Sequence, residues 1–340
     1  MNPMRSIITD CKKFSLLAFA VILSACQNEV KVQRVQGDAL GTTYSILYAD
    51  IKANESVLDS IDAIFLRMNQ SMSTYWPNSI ISKINRGETV VTDVDFQNVF
   101  NASQQVWKQT NGYFDPTVGA LVNAYGFGPE KPLAEIDTKT VDSLLNITGF
   151  HRVSLLENGT VFKENKNIYV DFNAIAKGYA VDALAQMLTS LGYQNFLVEV
   201  GGELFAAGIN PEKEMPWRVA IDHPKQQAKR AFIVTLPLQN QGLASSGNYR
   251  KFRTDAAGNS FVHTINPKTG QTVQSNVLSA SVLAPSTMHA DAYATALMAL
   301  PFKKGKILIN SLNNVEAMWV LAVKDSVEVV STTGFSFTPQ

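Results

Sequence analysis

The order in which secondary-structure signals appear along the chain is the tightest constraint on its fold. Val57, Leu58, Ile61, Ile64, Phe65 and Met68 recur at three- and four-residue spacing, which predicts an amphipathic helix over 54–70. Asp95 reads as the N-cap of a second helix burying Val99, Phe100, Val106 and Trp107, ended by Asn111-Gly112 in a left-handed C-cap. Asp137 is expected to cap a short helix that runs to Asn146. Strand signals follow at 152–156, 160–163 and 168–172. A long helix then carries Ile175, Tyr179, Leu184, Met187, Leu188 and Leu191 and stops at Gly192. Strands are expected at 195–200, 203–208, 217–221, 231–236 and 277–284, helices at 287–300 and 303–312, and last strands at 316–322 and 326–330. Helices early and late with strand runs between them imply an α+β fold, mostly antiparallel sheets with flanking helices. No strictly alternating Rossmann pattern occurs, and neither a Gly-x-Gly-x-x-Gly turn after a strand nor a Gly-x-x-x-x-Gly-Lys-Ser/Thr loop is present.

The first residues read as an address. Arg5, Lys12 and Lys13 precede an apolar run from Phe14 to Leu23, long enough for a signal-peptide core and too short for a bilayer, which needs roughly 20 residues. Leu23-Ser24-Ala25-Cys26 resembles the lipobox of bacterial lipoproteins, with Cys26 receiving the lipid; an ordinary signal peptide that contains a cysteine is the alternative. The expected division is a lipoprotein signal peptide at 1–25, a polar tether at 26–36, a main domain at 37–331 and a tail at 332–340. The mature protein is then exported and held on the periplasmic side of the inner or outer membrane of a Gram-negative bacterium. Gln27, where an Asp would favour inner-membrane retention, tilts the choice toward the outer membrane. Cys11 lies in the removed segment, so disulfides and cysteine-based metal sites are excluded from the mature chain. Cleavage takes three bases and one acid from a chain with 29 of each. The slightly acidic remainder lacks the basic footprint of a nucleic-acid binder.

Four clusters could carry chemistry. Asp291 and Thr295 stand four residues apart, so a helix presents them on one face as a hard oxygen corner suited to Mg²⁺. The alternative is that Asp291 helps cap the helix and Thr295 bonds back to a carbonyl. In Tyr169-Val170-Asp171-Phe172-Asn173-Ala174-Ile175-Ala176-Lys177 a strand is expected to enter a helix N-terminus, a favourable place for an anion. Lys177 in that first turn opposes the helix dipole, so it answers a charged partner or simply faces solvent. His263 opens a turn, His263-Thr264-Ile265-Asn266-Pro267-Lys268-Thr269-Gly270, where it is an acid/base, a phosphate contact or a structural residue. The loops Ser71–Tyr75, Gly112–Pro116 and Ser245–Arg250 hold aromatics near polar residues, placed to sandwich a flat ring or to pack in the core.

These clusters occur in the order of one family. Ala39-Leu40-Gly41-Thr42-Thr43-Tyr44, Met72-Ser73-Thr74-Tyr75, Phe114-Asp115-Pro116-Thr117-Val118-Gly119 and Asn123-Ala124-Tyr125-Gly126-Phe127-Gly128 match it, as do Val170-Asp171-Phe172, Ala176-Lys177-Gly178-Tyr179, Val200-Gly201-Gly202 and Pro216-Trp217-Arg218-Val219. Ser245-Ser246-Gly247-Asn248-Tyr249-Arg250, the His263 turn and Ala290-Asp291-Ala292 with Thr295 complete the series. Over residues 37–331 the chain resembles the ApbE-type flavin transferases, FAD:protein FMN transferases. The resemblance implies an α+β body, related to the T-fold, with FAD in a cleft between sheet-rich and helical parts. It places FAD contacts on Leu40, Tyr75, Tyr113, Phe114, Asp115, Asp171, Lys177 and Ile265, and Mg²⁺ on the Ala174 carbonyl, Asp291 and Thr295. Leu40 stands where Met is frequent and Tyr75 where some relatives have Trp.

The activity implied is Mg²⁺-dependent transfer of FMN from FAD to a Ser or Thr hydroxyl of an acceptor protein, with AMP released. His263 or Asp291 would take the hydroxyl proton. Family analogy suggests acceptors among membrane redox subunits of the sodium-pumping NADH:quinone oxidoreductase (Nqr) or Rnf type. Two other readings use the same residues: a FAD pyrophosphatase with water as nucleophile, and a non-catalytic flavin-binding lipoprotein. Intact Asp291 and Thr295 oppose the second.

Overall fold

The computed structural model describes residues 31–50, 55–224, 231–248, 252–254, 260–324 and 326–340. Cys26, with the rest of the expected signal peptide, and Tyr249 and Arg250 lie outside these residues.

The chain opens with a hairpin, β1 (Lys31–Ala39) and β2 (Thr42–Asp50), joined by Leu40 and Gly41 at φ 52° and 72°. Positive φ at both central residues matches the right-handed twist of paired strands. Helices α1 (Glu55–Met72), α2 (Ile80–Asn85), α3 (Val94–Gln109), α4 (Gly119–Ala124) and α5 (Thr138–Leu145) follow. A small pair, β3 (Val153–Leu155) and β4 (Val161–Lys163), precedes α6 (Ala176–Ser190). Strands β5 (Phe196–Val200), β6 (Glu203–Ala207), β7 (Trp217–Asp222), β8 (Phe232–Leu238), β9 (Gln241–Gly247), β10 (Phe252–Thr254), β11 (Ser260–Val262) and β12 (Val277–Ala284) lead into α7 (Thr287–Ala299) and α8 (Phe302–Asn310). The chain closes with β13 (Glu316–Val323), β14 (Ser326–Ser331) and β15 (Thr338–Pro339).

Eight strands form one antiparallel sheet in the order β1-β2-β5-β6-β9-β12-β13-β14. Both its faces are covered. Ala317, Trp319 and Leu321 of β13 join the core shared with α1, α3, α6 and α7, while Met318 and Val320 point the other way. There they meet Val219, Ile221, Val234 and Leu236 of a three-stranded sheet, β15-β8-β7. The period-two alternation of a strand is therefore apolar on both sides, which makes 316–322 a continuous hydrophobic run. The alanine-rich α7 is buried nearly all round, as a helix between a sheet and other helices must be. The expected α+β class with antiparallel sheets and flanking helices is what forms.

Several boundaries differ from expectation. Residues 31–36, assigned to the tether, belong to β1, and the tail folds back so that β15 pairs with Thr235 and Val234 of β8 while Phe335 is buried. Asp93, not Asp95, caps α3: its carboxylate accepts from the Phe96 N–H at 2.8 Å. Asp95, in the first turn, instead holds Arg67 at 2.7 Å and the Tyr179 hydroxyl at 2.8 Å. No strand forms at 168–172, because the Val170 backbone is satisfied by a side chain. Its N–H and C=O both bond the Asn85 carboxamide at 2.8 Å, and the Asp171 N–H donates to the Pro116 carbonyl. Ser245 and Ser246, read as loop, lie on β9, where Ser245 Oγ meets Ser281 Oγ of β12 at 2.7 Å.

Candidate functional site

Two helix N-termini build the site. α6 and α7 cross so closely that a Cβ on Gly178 would sit 2.4 Å from the Thr287 carbonyl oxygen and 2.8 Å from Met288 Cα. Only glycine fits such an approach. Each helix also supplies a carboxylate to the other's exposed first turn. Asp291 Oδ2 of α7 accepts from the Gly178 N–H at 3.1 Å, and Asp182 of α6 accepts from the Thr287 and Met288 N–H groups at 2.8 and 2.9 Å. Orphan donors and the positive dipole ends are satisfied reciprocally. α7 has its own cap in Ser286, so Asp291 caps the neighbouring helix rather than its own.

This exchange frees one backbone oxygen. The Gly178 N–H lies four residues beyond Ala174 and in a regular helix would return to that carbonyl. Turned to Asp291, it leaves the Ala174 carbonyl with no hydrogen bond among the described residues. Asp291 Oδ1 also carries none there, and Thr295 Oγ1 makes no bond to its own helix, its one side-chain contact among the described residues being Ser246 Oγ at 3.4 Å. A carbonyl, a carboxylate and a hydroxyl without strong internal partners are the hard, neutral-to-anionic oxygen set that Mg²⁺ takes while keeping several waters. These residues fit the ion. No group of three His, Cys, Asp or Glu that could hold a metal occurs among the described residues, so one carboxylate carries the charge of this corner.

Lys177 has the charged partner its position calls for. Its Nζ lies 2.8 Å from Glu203 Oε1 and 3.8 Å from Asp291 Oδ2. Glu203, at the first position of β6, is 3% exposed, and its Oε2 is buried without a hydrogen-bond partner among the described residues. Burial pushes the Glu203 carboxyl well above the ordinary carboxylate range, Asp291 adding to the push and Lys177 opposing it. The hairpin turn bearing Leu40 closes against the same place. Gly201 donates its N–H to the Thr43 carbonyl, and a Cβ on it would meet Thr42 Cγ2 at 2.8 Å and Lys177 Cδ at 3.4 Å. Leu40 adopts its left-handed backbone without a glycine's freedom, a strain typical of residues placed for function.

The other expected flavin residues fall into two groups. Tyr75, 60% exposed, stands near Asp171, which together with partial burial raises its phenol above the ordinary range. Burial lifts the Asp171 carboxyl to about 6 against the Asn173 donors, and the Asp171 chain runs beside Pro116 and Gly119. Tyr113 is half-buried and lines an open cavity of about 800 Å³ together with Tyr125, Asn266, Thr272 and Phe302. Phe114 and Ile265 are core residues at 2% and 6% exposure, so neither is an exposed ring or rim. Asp115 is also buried. Its carboxylate accepts from the Thr117 N–H and hydroxyl, the Phe150 N–H and the Trp107 indole, so it organises the loop that presents Tyr113. His263 lies at the end of β11 with its ring 6.3 Å from Phe127, edge to face.

The sequence reading missed Glu203 and Asp182. An acid at the head of the apolar strand Glu203-Leu204-Phe205-Ala206-Ala207 is a weak flag, and its partner is 26 residues away. Asp182 looks like one more exposed helix acid until α7 docks.

The comparisons agree with the geometry. The sequence profile of the ApbE family matches residues 40–319. A Haemophilus influenzae protein named FAD:protein FMN transferase is 36% identical over 331 residues, covering 94% of this chain and 95% of the relative. A protein of the same name from Vibrio cholerae is 32% identical, covering 94% and 96%. Among solved structures, the flavin transferase ApbE from Vibrio cholerae superposes with a TM-score of 0.80 at 30% identity, covering 90% of this chain and 98% of that one. The apo flavinyl transferase ApbE of Pseudomonas stutzeri gives 0.80 at 30%, covering 90% and 96%. With its glycine-tight helix crossing, its oxygen corner and these matches over most of its length, the chain belongs to the ApbE family.

Proposed function

We propose that this protein transfers FMN from FAD to a Ser or Thr hydroxyl of an acceptor protein, with Mg²⁺, and releases AMP. The observation that carries the reading is the oxygen corner of Ala174, Asp291 and Thr295 beside the Lys177 ammonium, in a chain whose relatives are named for this activity. In the balanced step the acceptor hydroxyl forms a P–O bond to the FMN-side phosphorus. The pyrophosphate bond breaks, AMP leaves with the bridging oxygen, and the hydroxyl proton passes to a base. Mg²⁺ held by the three oxygens would neutralise charge on the phosphates and on the departing AMP. Lys177 adds a fixed positive charge at the same place, and Leu40, Tyr75, Tyr113 and Asp171 frame the flavin nucleotide. His263 is the better candidate for the base, since Asp291 already serves Gly178 and the metal corner. The acceptors we propose are membrane redox subunits of the Nqr or Rnf type.

Replacing Asp291 removes the single formal charge among the three ligands. Asp291→Ala should lower metal affinity by more than about 100-fold, beyond what loss of an outer partner does, while Thr295→Ala should be largely rescued by high Mg²⁺. The assay is the mass gain of an acceptor across a Mg²⁺ titration. Wild-type transfer by Asp291→Ala with unchanged Mg²⁺ dependence would refute the site. Free FMN and AMP without labelled acceptor would mark a pyrophosphatase instead.

We also propose that the mature protein is anchored by lipid on Cys26 at the periplasmic side of a membrane, as Leu23-Ser24-Ala25-Cys26 suggests. Cys26→Ser should then be soluble or unprocessed in cell fractions. A variant that is still cleaved and fully membrane-bound contradicts the anchor.

A further inference from the structure

Beyond the proposed ligands and flavin contacts, the site holds one buried acid with no assigned task. We infer that Glu203 is a positioning residue whose work is to hold the Lys177 ammonium away from Asp291, keeping that carboxylate open for the cation. The inference rests on the proposed Mg²⁺-dependent reading and extends it to a residue outside the binding set.

The geometry is specific. Lys177 Nζ can only donate, and two acids among the described residues lie near it: Glu203 Oε1 at 2.8 Å, within hydrogen-bond reach, and Asp291 Oδ2 at 3.8 Å, outside it. Glu203 is anchored where it can win this competition. It sits at the head of β6, paired with Val200 across the tight Gly201-Gly202 turn, and it is almost fully buried. The lysine stem passes close over this turn, where a Cβ on Gly201 would meet Lys177 Cδ at 3.4 Å. Lys177 and Asp291 already pair at 3.8 Å; closing this to a hydrogen bond would tie the carboxylate more tightly to the lysine, and the cation would have to compete with that contact. By taking the ammonium itself, Glu203 leaves both a bare Asp291 oxygen and a lysine still within reach of an anionic ligand. Its second oxygen, Oε2, has no hydrogen-bond partner among the described residues, so there the carboxylate engages Lys177 through one oxygen only. An acid retained in the core with half its capacity unsatisfied is costly to stability, and the cost points to the site.

The test uses the full-length protein and variants that preserve shape. In Glu203→Gln, a crystal structure should show Lys177 Nζ moved to hydrogen-bond distance of Asp291. Mg²⁺ titrated into the FAD-loaded protein and followed by thermal shift should bind about 10–100-fold more weakly, the range seen when a partner of a metal ligand is lost. The Mg²⁺ requirement for FMN transfer should rise while the rate at saturating Mg²⁺ changes little. Glu203→Asp, which keeps the charge, should recover most of the affinity, and Lys177→Met/Glu203→Gln should recover it with no lysine left to intrude. The inference is overturned if Lys177 stays beyond 3.5 Å from Asp291 in Glu203→Gln, or if the double variant binds Mg²⁺ as weakly as Glu203→Gln; the latter would make Glu203 a direct influence on the metal. If Glu203→Gln does not fold, the double variant must, because a lysine released among buried acids is the fault the inference names; its failure also overturns the inference. Absence of Mg²⁺-dependent transfer in the wild type would instead sink the proposed activity and leave the lysine geometry to be judged by crystallography.

Discussion

Asp171 shows how burial sets the chemistry of a single residue. Its carboxyl titrates at about 6 rather than 3.8 because burial disfavours the charge. A raised carboxyl binds its proton more tightly in the folded state, so its contribution to stability is complete below pH 3.8 and is lost as pH rises through 6. Asp171→Asn does not titrate. Urea unfolding between pH 4 and 7 should therefore show the wild type losing stability relative to this variant across that window, and parallel curves would place the proton elsewhere. Residue chemistry was partly legible in the sequence. The misfit of Lys177 in a first turn pointed to a real feature, its ion pair with Glu203. The partners themselves could not be read: Glu203, the Gly178 N–H and the Asn85 carboxamide become neighbours only through folding. Phe114 and Ile265 show the converse, since an aromatic or apolar residue beside a turn gives no sign of whether it faces a ligand or the core.

At the scale of elements, the crossing of α6 and α7 is the critical joint. Gly178→Ala gains about 1 kcal/mol of intrinsic helix propensity. It must also place a methyl 2.4 Å from the Thr287 carbonyl oxygen, a backbone atom that cannot swing aside. Overpacking costs about 1–3 kcal/mol, and the caps are strained besides, so the variant should be less stable in denaturant titration. Equal or greater stability would show that the helices can slide apart. Element existence followed from periodicity: α1, α5, α6, α7, α8, β12, β13 and β14 lie within a residue or two of expectation. The hairpin β1–β2 was missed because its strands are polar on the exposed side and its turn carries Leu40 where Asn or Asp is usual. β9 was missed because Gly, Ala and Ser suit the space under α7, where a Cβ on Gly242 would strike the Thr287 backbone, but carry no strand signal.

The described residues form an eight-stranded sheet, a three-stranded sheet, two small strand pairs and a helical layer, and the sequence announced the class without the order of its strands. Nothing local says that β5 lies beside β2, or that β9 sits between β6 and β12. Those neighbours are set by which faces can be buried together. The exchange of carboxylates between α6 and α7 has a kinetic consequence. Its hydrogen bonds join residues 105, 106 and 113 apart in sequence, so neither first turn is satisfied until the intervening strands are in place. Contacts of such long range close late in folding, after the loop between them has lost its entropy. Substitutions at Asp182 should therefore speed unfolding and leave the folding rate nearly untouched, with φ-values near zero in stopped-flow measurements. A chain that has collapsed but not yet docked these helices has its hydrophobic body and lacks the proposed cation site. That proposed site is thus a checkpoint on the completed topology.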